Sequence, residues 1–382
     1  MRPKTRDSLT KLRASLRRHL GQNQISLAPS ARCAIAQVLS LLPPGEVVMP
    51  AFNCDVVKSA VEAADRRIIY VDVAKGSVNA TATEFATAAR PGRILLATHQ
   101  FGVPTDIEAI CDLGKDRSCV VIEDAACSFG ATRNGRQLGT FGDFGIYSFE
   151  NWKRLPAFRG GAISVNNPNH FDPARLETEL FVKTTPKLPV RELVSALGRN
   201  VFTIPWLYGR LVLPILMQSY FRQPAGANGG HGKSITNGAP FTRAVHPYQA
   251  QLILRMLGRL DRIHGHIKQL AAIYAEAFRN GVVTTLLPSS FDAAGLLRFP
   301  VVFPGKSRVE VLRNALRRGL YLETEFEEPM PSSAEWDRFP NSVWACRNLV
   351  LLPLYRSLSV KKAAWLAHQV NELAVEDLQT RN

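Results

Sequence analysis

The chain has 382 residues, 46% of them hydrophobic and 21% charged; these are the proportions of a folded globular protein, they argue against a disordered chain, and the length allows two domains. A formal net charge of +15 favours anionic partners, whether phosphorylated small molecules, nucleic acid or an acidic membrane surface. The six cysteines stand apart, with no CxxC pair and no histidine cluster beside them, which reads against a disulfide framework or a zinc site and for reduced thiols in a cytoplasm.

Residues 1–20 carry seven Lys/Arg and one Asp with no apolar stretch behind them, so they do not read as a secretory signal. A solvated amphipathic helix, a basic arm over 1–24, is the expectation; a transit peptide and a lipid- or RNA-contacting arm stay open. From residue 46 apolar strands alternate with helical stretches. Strands are predicted at 46–50, 67–73, 93–99, 118–126, 144–149 and 161–166, and helices at 55–64, 82–89 and 105–113. Most of these strands are apolar throughout, as strands covered on both faces must be. The pattern is that of an α/β domain with a mostly parallel sheet, and chemistry is expected beyond the carboxyl ends of its strands.

Residues 185–245 break the pattern with Pro, Gly and large apolar side chains. The run 201–221 approaches the length of a membrane span but contains two prolines and Arg210, so a packed helical insertion is expected over a transmembrane helix, with a peripheral membrane contact between the two. The Gly-rich stretch 225–240 reads as a loop; it lacks the GxxxxGK[ST] spacing of a phosphate loop. Apolar positions at three- and four-residue spacing then predict one long helix over 248–280. A strand at 296–303 and helices at 307–319 and 360–373 complete a smaller α/β domain. The expected division is therefore 1–24, a large domain over 25–245 including the insertion at 185–245, and a small domain over 246–382.

Three reactive groups gather at neighbouring strand ends. Asp124 follows the apolar run CVVI, and a carboxylate there is costly unless it is paired. Lys153 and Ser148 come at and shortly after the strand FGIYSF. A pyridoxal-phosphate site needs an amine to hold the cofactor, a carboxylate for the pyridine nitrogen, and hydroxyls with helix N-terminal amides for the phosphate. On spacing alone, a surface lysine and a capping aspartate would produce the same pattern.

The segments VIEDAACSFGA (121–131) and Gly139 to Lys153, ending GDFGIYSFENWK, together with residues 44–73, ATHQFGVPTDIEAI (97–110), residues 246–263 and NLVLLPLYRSLS (348–359), resemble the DegT/DnrJ/StrS sugar aminotransferase family in the right order. The resemblance spans most of residues 25–375 and leaves 185–245 poorly covered. It implies the α/β fold of the fold-type-I pyridoxal-phosphate-dependent transferases, with a mostly parallel seven-stranded sheet in the large domain, and a homodimer. It also implies transfer of an amino group from an amino acid, glutamate by expectation, to a nucleotide-linked keto-sugar in glycan or secondary-metabolite biosynthesis. Two alternatives remain: a dehydratase-like reaction on a sugar, against which Lys153 argues, and a catalytically altered, membrane-associated regulatory member. No helix-turn-helix or RNA-binding motif supports a nucleic-acid role.

Carried over residue by residue, the resemblance implies that Lys153 holds pyridoxal 5'-phosphate and moves the proton. Asp124 partners the pyridinium, Ser148 binds phosphate, and Ser30–Ala31–Arg32 form the first phosphate-binding turn. His99 is placed near the ring, with a core histidine satisfied by backbone equally open. The chain departs from the family at Cys127, where Gln or His is usual, at Cys54, where an aromatic residue often stacks, at Arg32, where Thr is frequent, and at 239–245, where Thr242 or Arg243 would replace an asparagine. No metal site is expected.

Overall fold

The structure, a computed structural model, describes residues 3–22, 24–170, 245–289 and 291–379. The apolar run 201–221, the loop 225–240, Thr242 and Arg243 lie outside them.

The large domain is built on seven strands: β1 (Ile25–Ala28), β2 (Val47–Pro50), β3 (Ile68–Val71), β4 (Ile94–Thr98), β5 (Val120–Asp124), β8 (Phe144–Ser148) and β9 (Gly161–Val165), in the spatial order β1-β9-β8-β5-β4-β2-β3. Between β5 and β8 a small ribbon, β6 (Thr132–Arg133) and β7 (Arg136–Gln137), forms a separate pair. Pairing is parallel from β3 to β8. Strand β9 runs against both β8 and β1, so a single reversed strand interrupts a parallel sheet. Strand β1 went unpredicted because ISLA is short and carries no periodicity of its own; its partner β9 makes it a strand.

Side-chain alternation sends each strand's residues to opposite layers. On one face Met49, Leu96, Ile122 and Ile146 pack with Ile35, Val38 and Leu39 of α2 (Ala31–Leu41) and Val57 and Val61 of α3 (Asp55–Ala63). Full burial of an aliphatic side chain of this kind contributes about 1.5–3 kcal/mol. On the other face Val48, Leu95 and Val121 pack with Phe85 of α4 (Ala82–Ala86) and Ile107 and Ile110 of α5 (Ile107–Asp116).

The basic N-terminal segment is a helix, α1 (Pro3–Leu20), but not a free arm. Leu12, Leu16 and Leu20 recur every four residues, are buried, and pack with Phe129, Tyr147 and Ala250; Lys11, Arg17 and Arg18 remain exposed on the other side. The predicted long helix is in fact two, α6 (Pro247–Leu257) and α7 (Leu260–Phe278). The Gly258 amide closes α6 on Leu254 O and Met256 O, and the break lets α6 lie on α1 while α7 turns into the second core. Among the described residues no helix is long and apolar enough to cross a membrane.

That second core surrounds an antiparallel sheet of β10 (Thr284–Thr285), β11 (Arg298–Val302) and β12 (Val350–Pro353). It is packed by α7, α8 (Arg308–Arg317), α9 (Pro340–Asn348) and α10 (Val360–Gln379) through Ile267, Tyr274, Leu312, Cys346 and Val370. Phe326 joins it to the large domain, with its ring 4.8 Å from Phe52 and 5.6 Å from Phe101. Phe101 holds a left-handed φ of 57°, a conformation that is strained for a bulky residue. The next residue, Gly102, has no room for a Cβ, which would stand 2.0 Å from Gly295 O. The two domains thus meet backbone to backbone beside β4.

Candidate active site

Two acids end β5, and the pleat separates their roles. Glu123 turns to the layer of Val121. It is buried and accepts four bonds: from His99 Nε2 (2.9 Å), Gly139 N (2.6 Å), Phe141 N (2.8 Å) and Gly142 N (3.1 Å). Asp124 lies on the layer of Ile122, at the strand end. Among the described residues its one hydrogen-bond donor is the Ala126 amide, 3.0 Å from Oδ1. Burial pushes its carboxyl above the usual range, opposed by the Ala126 amide and the charge of Lys153. A carboxylate this buried and this sparsely paired is costly to ionise unless a cation lies beside it.

Lys153 supplies the amine. It rides on the loop after β8, which is pinned by Phe149 N donating to Gly160 O and Ala157 N donating to Phe149 O, each at 2.8 Å. Its Nζ donates to Cys127 Sγ at 3.0 Å. Burial would lower the ammonium's pKa, but Cys127, Cys54 and Asp124 around it hold it above the ordinary value. The Cys54 thiol, the N-cap of α3, is pushed up to about 11 by burial. Of the two cysteines, Cys127 touches the lysine and Cys54 acts on it electrostatically.

The neighbouring residue Arg154 goes elsewhere. Its guanidinium is buried and donates to Leu296 O of the small domain, while its Nε has no partner among the described residues. Burial first, and Arg298 second, lower its pKa to about 10. Consecutive side chains thus anchor the loop on the two sides of the domain junction.

An anion cradle lies at the same sheet edge. Ser30 caps α2, its Oγ accepting from Cys33 N at 3.2 Å. Ala34 N returns to Ser30 O, and among the described residues the amides of Ala31 and Arg32 have no acceptor. Free amides at the start of an eleven-residue helix attract a phosphate. Ser30 bridges to Gly160, and Ser148 pairs in register with Gly161. Gly161 cannot carry a side chain: a Cβ would stand 2.7 Å from Ser30 C and 2.8 Å from both Ala31 N and Tyr147 O. That close approach brings Ser148 and the Ser30–Ala31–Arg32 turn to one place.

His99 spends both ring nitrogens in the core. Nδ1 accepts from Thr105 N at 3.0 Å, so the proton sits on Nε2 and is donated to Glu123. One partner is backbone and the other the Glu123 carboxylate, and no ring nitrogen is left for a substrate. Sequence reasoning also passed over a buried polar belt. Asn53 Nδ2 donates to Thr98 Oγ1 (3.2 Å), and its Oδ1 accepts from Gln100 Nε2 (3.1 Å) and Cys54 N (2.8 Å). The signal for it was a run of short polar residues just after apolar strands.

The profile of the DegT/DnrJ/EryC1/StrS aminotransferase family matches residues 8–184. Over that region, somewhat under half of its length, the chain is similar to this family. All nine site residues, from Ser30 to Lys153, fall inside the matched region. Residues of this chain are 30% identical over 161 positions to a dTDP-4-dehydro-2,3,6-trideoxy-D-glucose 4-aminotransferase from Saccharopolyspora spinosa, an alignment covering 41% of the chain and 42% of that relative. The chain thus spans about two fifths of the length of the curated relatives it matches. Among solved structures, an aminotransferase TlmJ from Streptoalloteichus hindustanus superposes with a TM-score of 0.72 at 20% identity, covering 99% of this chain and 92% of that one. An Escherichia coli GDP-4-keto-6-deoxy-D-mannose-3-dehydratase with bound hydrated PLP gives 0.71 at 13% identity, covering 96% and 91%. At these identities the two structures establish the fold, and the α/β architecture with a mostly parallel seven-stranded sheet expected from the sequence is the one observed.

Proposed function

We propose that this chain is a pyridoxal 5'-phosphate-dependent aminotransferase that moves an amino group from an amino acid, glutamate in our reading, to a nucleotide-linked keto-sugar. The observation that carries the reading is Asp124: a buried strand-end carboxylate with one amide donor, placed within the field of the Lys153 amine. The residues fit the cofactor. Asp124 would hold the pyridine nitrogen protonated, Lys153 would bind covalently, and Ser148 with the Ser30–Ala31–Arg32 turn would hold the phosphate. When bound, pyridoxal phosphate supplies a carbonyl with which amines condense and a ring that accepts electron density.

The chain's own residues do the rest. Lys153 Nζ would be the group that holds and moves a proton in the site. Cys127 and Asp124 orient it, and the loop pinned at Phe149 and Ala157 keeps it there. Arg32 adds a cation at the phosphate turn, which arginine suits geometrically. The net charge of +15 and the nucleotide-sugar relatives support an anionic acceptor. Family resemblance supports a homodimer, and the six free cysteines support a reducing, cytoplasmic setting. A peripheral membrane contact through 201–221 remains part of the proposal for the inner face of the membrane.

Absorption spectra of wild-type and Lys153→Ala protein, titrated with pyridoxal phosphate, test the reading. A visible band that depends on Lys153 and is discharged by glutamate is expected. A band that no amino donor alters would move the function to the dehydratase-like or regulatory alternative; absence of any band in the wild type would overturn the proposal.

A further inference from the structure

The lysine at the heart of this site is in contact with a thiol. Lys153 Nζ and Cys127 Sγ are 3.0 Å apart, and Cys54 is close enough to act on both electrostatically. Cys127 is half-buried rather than sealed. A thiol reacts with peroxide as the thiolate, and the Lys153–Cys127 hydrogen bond offers a path along which the proton can leave sulfur for nitrogen or return.

We propose that Cys127 and Lys153 form a peroxide-sensitive modification site, in which oxidised Cys127 is captured by the Lys153 amine as a reversible S–N cross-link that removes the cofactor's lysine. Hydrogen peroxide is the oxidant. Attack of the Cys127 thiolate on one peroxide oxygen breaks the O–O bond, forms the sulfenic acid and releases one water. The Lys153 amine then attacks that sulfur; the S–O bond breaks, the hydroxyl departs with a proton from nitrogen, and a second water is released. The sum is Cys–SH + Lys–NH2 + H2O2 → Cys–S–NH–Lys + 2 H2O, with sulfur oxidised by two electrons and peroxide reduced. Condensation of a sulfenic acid with nitrogen is known chemistry on the cysteine oxidation ladder, and a thiol reverses it. Here the nitrogen already lies at hydrogen-bond distance, so no rearrangement of the loop is needed to bring the pair together.

Covalent occupancy of Lys153 protects the site. With the amine bound to cofactor, no nucleophile is present to capture the sulfenic acid; whenever the amine is free, the site is open to capture. The protection rests on the function proposed above, whereas the cross-link itself does not.

The test is peptide mass spectrometry of cofactor-free, full-length protein after brief exposure to hydrogen peroxide, with and without subsequent dithiothreitol. The expected result is a cross-linked pair of peptides joining Cys127 to Lys153, two hydrogens lighter than their sum and separated by dithiothreitol. Cys54→Ala should retain it and Cys127→Ser should lose it, with circular dichroism confirming that both variants fold. A Cys54–Cys127 disulfide, or Cys127 oxidised to sulfinic acid with Lys153 unmodified, would overturn the proposal. Prior loading with pyridoxal phosphate should reduce the cross-link at least about tenfold. Cross-linking that ignores pyridoxal phosphate, in protein that shows no Lys153-dependent band, would count against the proposed function and leave the modification site standing.

Discussion

His99 Nε2 donates to Glu123 Oε1 across 2.9 Å, with both side chains wholly buried. This pair, with the amides of Gly139, Phe141 and Gly142 on the same carboxylate, ties the end of β5 to the turn that leads into β8. It therefore sets where the two strands carrying Asp124 and Ser148 stop. Glu123→Ala leaves four donors without an acceptor. A loss of about 3 kcal/mol or more is expected, read as a lower urea midpoint. Should Glu123→Ala unfold at the wild-type midpoint, the carboxylate is not holding this junction.

Asp124→Asn tests the site without disturbing its shape. The amide keeps the contact with Ala126 but presents no negative charge to the ring nitrogen. The variant should still take up pyridoxal phosphate through Lys153, with turnover falling at least about a hundredfold, the scale of a lost charge-stabilising or acid–base contact. Spectral titration and steady-state rates together check this, since lost binding would point instead to misfolding.

Gly161→Ala should push the Ser30–Ala31 turn away from β8, because the new methyl meets backbone atoms that cannot yield. An overpacking cost of about 1–3 kcal/mol is expected, accompanied by weaker binding of the cofactor or of inorganic phosphate. Gly265→Ala is the control. It lies within α7, a Cβ there meets open space, and the change should stabilise by up to about 1 kcal/mol through helix propensity. Thermal melts of the two variants should shift in opposite directions.

Acid should loosen the packing of α1 and α7. Burial, and then repulsion from Arg154 and His19 against the attraction of Asp292, lowers His264 from 6.5 to about 4. The folded state therefore holds this ring neutral where the unfolded chain would protonate it. Its contribution is fully present above pH 6.5 and is lost as pH falls toward 4. The stability of His264→Gln should fall less steeply across that window than that of the wild type in denaturant titrations at each pH. Parallel slopes would remove His264 from the account.

The sequence on its own determined the strands of the sheet centre, because strands covered on both faces must be apolar throughout, and it offered Lys153, Asp124 and Ser148 as candidates through the family resemblance, since spacing alone would equally suit a surface lysine and a capping aspartate. It could not show that the adjacent acid Glu123 is occupied by four donors on the opposite layer from Asp124; that follows from the pleat of β5. Nor could it show that β9 reverses, that the helix predicted over 248–280 breaks at Gly258, or that Arg154 turns away from its neighbour to bond Leu296 O. Each of these is decided by a partner distant in the chain. The same holds for the site's most particular feature: positions 127 and 153 are far apart in sequence, and only the pairing of β5 with β8 sets a thiol against the amine that would hold the cofactor.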